Sequence, residues 1–286
     1  MSSKQFFITA DSINRYVAYL KSEERAAATI EKYIRDIRAF TDFLDGAQVT
    51  KEAAIEWKGH LKSTHEATSI NSMIAAVNGF FAFFELNIKV KQFKIQYRTF
   101  MPTEKELTSA DYEKLLKTAM AQGNERLCFV MQTICSTGIR VSELRFITVE
   151  AAKKGYAEVE NKGKIRTILL PAELTKILSR YARKRGVKSG SIFITKTGKP
   201  LNRSNIWAEM KKLCQAAGVD EAKVFPHNLR RHFAVKFYAK VKDLSKLADA
   251  LGHANLNTTR IYLKSSNTEH RRIINSLGLI RYKLVT

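Results

Sequence analysis

The chain has 286 residues, 45% of them hydrophobic, with 49 Lys/Arg against 27 Asp/Glu and a formal charge of +22. This composition excludes a disordered chain, supports a sizeable core without disulfide staples, and points to a polyanionic partner. The excess is uneven: residues 1–100 hold 14 basic and 11 acidic side chains, and the remainder hold 35 and 16.

In chain order, Ile13, Tyr16, Val17 and Leu20 recur at helical spacing, and Ile30, Tyr33, Ile34, Ile37 and Leu44 do so again. Both stripes predict amphipathic helices. A third helix is expected over 51–62, and a fourth from Ser69 carries Ile70, Met73, Val77, Phe80, Phe81 and Phe84. Together they predict a four-helix unit over residues 1–88. Residues 89–106 break the pattern. Lys89, Lys91, Lys94 and Arg98 alternate there, and Pro102 follows. The segment reads as a basic interdomain linker or as a short edge strand.

A second domain is expected over 107–286. Thr108 or Ser109 caps a helix through Leu115 and Leu116, and a helix over 126–137 stops at Gly138. Arg140 follows, and Ser142-Glu143-Leu144 opens another helix. Residues 156–161 and 165–170 have β-type composition and flank Lys162-Gly163-Lys164, a hairpin signal. Helices are expected over 172–184, 204–217, 229–240 and 244–251, the last closed by Gly252. A short helix over 269–277 precedes the tail, where Ile280 and Leu284 are candidate anchors. The fold class is mainly α with one small β-hairpin.

Cys128, Cys135 and Cys214 lack a disulfide or metal spacing, which suits a reducing cytosol. Cys128 and Cys135 are expected in the core. The N-terminus carries no signal-peptide pattern, and no stretch is long and apolar enough to span a bilayer. No GxxxxGK[ST] loop or HExxH pair, and no acidic cluster in the basic second part of the chain, marks a nucleotide or metal site. His227, His232 and His253 lack the carboxylate or cysteine that would normally complete a metal site.

What remains is chemistry suited to a phosphodiester. Charge builds on the non-bridging oxygens as phosphorus becomes five-coordinate, and an arginine fork donates two parallel hydrogen bonds to them. Arg140 and Arg230 are the candidates. Tyr262 offers a phenol, whose pKa of about 10 calls for a proton acceptor. His227 and His253 are placed to help. The leaving 5′-oxygen needs a proton, and either Lys162 or Lys164 at the hairpin could deliver it.

These residues carry a resemblance. Ser136-Thr137-Gly138-Ile139-Arg140-Val141-Ser142-Glu143-Leu144 resembles the first arginine box of the tyrosine recombinases, the phage-integrase and Xer type. Asn161-Lys162-Gly163-Lys164 resembles their hairpin lysine motif. His227-Asn228-Leu229-Arg230 resembles the HxLR box. Leu251-Gly252-His253, with Thr258-Thr259-Arg260-Ile261-Tyr262, resembles the last box. Residues 29–44 look like part of the family's helical core-binding domain.

The resemblance implies an N-terminal core-binding domain and a C-terminal mixed α+β catalytic domain. It implies that Arg140 and Arg230 clamp the scissile phosphate, that Lys162 is the general acid, and that His227 assists proton transfer. His253 would bind the phosphate, Tyr262 would be the nucleophile, and Glu143 would support the site. Lys89, Lys91, Lys94, Arg98 and Lys164 would contact DNA. The hairpin is one residue shorter than the commonest family form, so both lysines stay eligible; Lys162 is preferred. Arg231-His232 also departs from the family pattern.

No cofactor, metal or ATP is implied. The implied partner is a double-stranded recombination site, with a homotetramer on two duplexes, a monomer or weak oligomer off DNA, no membrane, and a cytoplasmic setting. A type IB topoisomerase shares the chemistry, and a DNA-binding regulator without catalysis is a further alternative.

Overall fold

The computed structural model describes residues 5–95, 106–161, 164–253, 255–260 and 275–277. The chain divides into two units, Met1–Tyr97 and Arg98–Thr286.

In the first unit, α1 (Ala10–Ser22) begins at Thr9, whose hydroxyl accepts from the Ser12 amide while the Ser12 hydroxyl accepts from the Thr9 amide. This capping box satisfies two amides that a helix start would otherwise strand. Helix α2 (Ala27–Leu44) ends at Asp45, whose backbone is left-handed. Thr50 caps α3 (Lys51–His60), and α4 (Ala67–Phe83) starts two residues ahead of the expected Ser69. The apolar stripes meet in a core that includes Tyr16, Ile37, Phe40, Trp57, Ile74 and Phe80. Trp57 is 1% exposed and packs 5.0 Å from the Phe40 ring. Truncating such a residue to alanine costs about 3–5 kcal/mol.

Beyond α4 the chain is fastened by two asparagines seven positions apart on that helix. The Asn78 side chain donates to the Val90 carbonyl and accepts the Val90 amide, both at 2.9 Å. Asn71 does the same for Phe93, at 2.9 and 2.7 Å. Side-chain amides thus supply the hydrogen bonds that a neighbouring strand would give. Val90 is buried, whereas Lys89, Lys91 and Lys94 are exposed. Arg98 lies outside the described residues.

In the second unit, Thr108 and Asp111 form the capping box of α5 (Ser109–Ala121). Helix α6 (Glu125–Thr137) buries Cys128, Val130, Met131 and Ile134 and packs against α5 and three later helices, Ala172–Lys184, Arg203–Ala217 and Pro226–Val241. It ends at Gly138 with φ 64°. A Cβ there would lie 2.5 Å from the Phe233 ring, so both the backbone and the space require glycine. Val141–Phe146 is a 3₁₀ turn where a new helix was expected, because Arg140 and Glu143 tie it into a tight cap. Helix α7 (Val149–Lys154) follows, too short for hydrophobic periodicity to announce it.

Strands β1 (Tyr156–Asn161) and β2 (Lys164–Leu169) are antiparallel, with Tyr156 opposite Leu169 and Asn161 opposite Lys164. The remaining helices are α8 (Ala172–Lys184), α9 (Arg203–Ala217), α10 (Pro226–Val241), α11 (Leu244–Leu251) and α12 (Leu256–Arg260). Helix α10 starts at Pro226, three residues before the expected start, because proline suits a first helical position. That places His227 in its first turn. The three cysteines are free; Cys128 and Cys214 are buried and Cys135 is half-buried. Among the described residues no helix is long and apolar enough to cross a membrane. Ile280 and Leu284, and all of the expected tail helix but its last three positions, lie outside the described residues.

Candidate active site

Three separated stretches of the second unit converge on one cluster of positive charge. The first follows α6. Arg140 is the N-cap of the 3₁₀ turn, and its amide and Nη1 donate to the two oxygens of Glu143, each at 2.9 Å. Glu143 is 2% exposed. A second arginine, Arg166 of β2, donates Nη2 to Glu143 Oε2 at 2.6 Å. Burial pushes the Glu143 carboxyl up. The hydrogen bonds from Arg140, and then the charge and hydrogen bond of Arg166, outweigh it and hold the pKa below the ordinary carboxylate value. A buried carboxylate held by two guanidinium groups fixes where the Arg140 fork points. The Arg140 side chain itself remains 35% exposed.

The second stretch is the start of α10. Arg230 is 2% exposed. Its Nη1 donates to the Gly138 carbonyl at 2.5 Å and its Nη2 to the Leu251 carbonyl at 2.7 Å. These bonds tie the ends of α6 and α11 together. One turn ahead, His227 lines a groove of about 420 Å³ with Arg140, Arg203, Trp207 and Arg230. Burial first, then the charges of Arg230, Arg231, Arg203 and Arg140, hold the His227 pKa below the ordinary value. The ring is neutral at pH 7 and can accept a proton.

The third stretch is the turn after α11. His253 Nε2 lies 2.9 Å from Arg230 Nη2, and its Nδ1 lies 2.8 Å from the hydroxyl of Thr259 on α12. Burial, followed by Arg230, Arg140 and Arg166, pushes its pKa down to about 4. Among the described residues the groove lining holds three arginines and no carboxylate. Such a partly desolvated basin attracts a phosphodiester and stabilises charge that grows on its oxygens.

Of the residues expected from the sequence, Arg140, Glu143, His227, Arg230 and His253 come together here. Lys162 and Tyr262 lie outside the described residues, and the Lys164 side chain is not described. His232 faces elsewhere: its Nδ1 is 3.0 Å from the Leu107 carbonyl and its ring packs near Tyr112. Sequence reasoning missed Arg166, Thr259, Arg203 and Trp207. Thr259 stood inside a quoted motif, and Arg166 two positions beyond the hairpin one. Their roles follow from strand register and burial, which the motifs do not state.

Residues 105–269 match the phage integrase family, and residues 13–86 match the phage integrase N-terminal SAM-like domain. The tyrosine recombinase XerA of Pyrococcus horikoshii is 27% identical over 98% of this chain and 98% of its own length. Among solved structures, the XerH site-specific recombinase bound to a palindromic difH substrate, a post-cleavage complex, shares the fold. It has a TM-score of 0.72 and 19% identity over 96% of this chain and 85% of that one. A lambda integrase tetramer bound to a Holliday junction also has a TM-score of 0.72, at 18% identity over 91% of this chain and 78% of that one. The family match spans more than half of the sequence and encloses all three converging stretches: the chain belongs to the phage integrase family.

Proposed function

We propose that Arg140 and Arg230 hold the scissile phosphate of a DNA recombination site while Tyr262 attacks it. The chain is a site-specific DNA recombinase of the tyrosine type. The observation that carries the assignment of roles is the convergence of Arg140, His227 and Arg230 on one groove, with His253 against Arg230.

In the first step the Tyr262 Oη–phosphorus bond forms and the bond from phosphorus to the 5′-oxygen breaks. His227, neutral at pH 7, accepts the phenolic proton. Lys162 gives its proton to the departing 5′-oxygen, and Lys164 contributes to DNA binding. The products are a 3′-phosphotyrosyl link and a 5′-hydroxyl. A 5′-hydroxyl from the partner duplex then attacks the link and returns the tyrosine. The link conserves the free energy of the phosphodiester, so the cycle consumes no ATP. Glu143 orients Arg140 throughout, and His253 binds a phosphate oxygen.

Residues 1–88 form the core-binding domain, 89–106 the basic connection and 107–286 the catalytic domain. Lys89, Lys91, Lys94 and Arg98 contact the DNA backbone. Two duplexes call for four protomers, an arrangement supported by the relative solved as a tetramer on a Holliday junction. Off DNA the chain is a monomer or weak oligomer, and its work on DNA sets it in the cytoplasm.

Plasmids carrying two copies or one copy of the site test the product. Exchange between paired sites is expected, with little relaxation of the single-site plasmid. Relaxation without exchange would favour topoisomerase chemistry. Affinity should also fall steeply with salt, as each phosphate contact releases counterions.

A further inference from the structure

Helix α9 buries Ile206, Met210, Leu213 and Cys214 in the core of the second unit. Arg203, Trp207 and Lys211 follow one another at four-residue intervals and so form a row along another face. The first two of them line the active-site groove with Arg140, His227 and Arg230. Neither takes part in the steps assigned above. The groove holds its cations in two ways. Arg140 is tied to Glu143, and Arg230 to the Gly138 and Leu251 carbonyls. The Arg203 side chain makes no hydrogen bond or ion pair among the described residues. After burial and the charges of Arg230 and Arg231, its charge also holds the His227 pKa down. A guanidinium fork in such a place, not committed to a protein carboxylate, suits the paired oxygens of a phosphate.

Trp207 is the second unusual feature of this face. It is 49% exposed, whereas the other tryptophan of the chain, Trp57, is 1% exposed. An indole left half in water forgoes much of the stabilisation that burying its apolar area would give. Phe225 and Pro226 line the groove as well, so apolar surface and three cations share one lining. Lys211 stands 5.5 Å from the indole centroid and donates to the Glu221 carbonyl, which places a held cation over one face of the ring. Nucleic acid combines the two chemistries that this lining offers, an anionic phosphate and an adjoining apolar sugar and base. Arg203 and Trp207 are one turn apart, about 6 Å along the helix axis, so both can engage one nucleotide.

We propose that Arg203 and Trp207 form a nucleotide subsite beside the scissile phosphate. Arg203 holds the adjacent phosphate, and the indole packs against the sugar and base edge of the nucleotide that joins the two. The subsite fixes which phosphate of the strand enters the fork of Arg140 and Arg230. It rests on the phosphate-clamp reading given above.

The test uses the full chain and an uncleaved duplex carrying the recombination site, titrated over a series of salt concentrations. Arg203→Gln should lower the slope of log affinity against log salt by about 1, the signature of one lost phosphate contact. Trp207→Ala should weaken binding about 10-fold at every salt concentration and leave the slope unchanged. Trp207→Phe should keep most of the affinity. Where Trp207→Ala melts below the wild type, the same titration of Trp207→Leu decides, with the same loss expected. Duplexes lacking one base, on either side of the scissile phosphate, locate the contact: one of them should cancel most of the difference between wild type and Trp207→Ala. An unchanged slope in Arg203→Gln, full affinity in Trp207→Ala, or a Trp207 effect that neither duplex cancels overturns the proposal. Arg140→Gln separates the subsite from the reading beneath it. If it lowers the slope and Arg203→Gln does not, the subsite alone fails; if neither lowers it, the groove holds no phosphate and both fail.

Discussion

Arg230 Nη2 stands 2.9 Å from His253 Nε2, and this contact fixes the tautomer of the histidine. Arginine has no acceptor, so Nε2 must be unprotonated. The ring proton is therefore on Nδ1, where it is donated to Thr259 Oγ1. His253 can donate to a phosphate oxygen through Nε2 only after gaining a proton there.

An anionic phosphate in the groove should supply the reason to gain it. In the DNA-free chain the His253 ring should titrate near a pKa of about 4. Bound to an uncleaved site by the Tyr262→Phe variant, its pKa should rise, because a negative neighbour favours the imidazolium. Nitrogen chemical shifts of labelled histidine report both the tautomer and the titration. An ordinary titration near 6.5 in the free chain would contradict this electrostatic reading.

The same two groups make the fold acid-sensitive. The folded pKa of His253 is below its ordinary value, so its stabilising contribution is complete above about pH 6.5 and shrinks as pH falls towards about 4. Glu143 is also lowered; its contribution is complete above the ordinary carboxylate range and is lost as pH falls through the lowered value. Urea midpoints should therefore decline from pH 7 downwards, and His253→Gln should flatten the upper part of that decline. An unchanged profile in the variant would assign the acid sensitivity to other groups.

Removing Glu143 leaves two guanidinium groups facing each other without their carboxylate. Glu143→Ala should cost about 3–5 kcal/mol in denaturant unfolding, the range for breaking a buried pair. Combined with Arg166→Ala, the total should fall well short of the sum of the single losses, because both changes remove the same contact. Full additivity would mean that the two residues are not coupled.

Gly138→Ala tests the joint between α6 and Arg230. The position has φ 64° and lies against Phe233 and Leu251. Backbone strain alone should cost at least about 1 kcal/mol. Because the Gly138 carbonyl accepts from Arg230, cleavage should slow more than site binding weakens. A parallel loss of both would indicate general destabilisation.

Much of this molecule was legible in its sequence. The helices carried clear apolar periodicity, and Arg140, Glu143, His227, Arg230 and His253 stood in ordered motifs that the fold gathers. What escaped was set by tertiary contacts. The 3₁₀ turn follows from two hydrogen bonds between Arg140 and Glu143, which local propensity does not express. The apolar residues of β2 fall on both of its faces, Ile168 inward and Ile165 and Leu169 outward, so the pattern did not assign a face to Arg166. His232 stood beside Arg230 in the sequence, but the helical turn carries it away to Leu107.

The most direct measurement is covalent capture on a nicked duplex that lets the downstream strand diffuse away after cleavage. The wild-type chain should form a detergent-stable adduct without ATP, and peptide mapping should find the DNA 3′-phosphate on Tyr262. Tyr262→Phe should bind the same site and form none. An adduct that persists in Tyr262→Phe, or maps to another residue, would contradict the account.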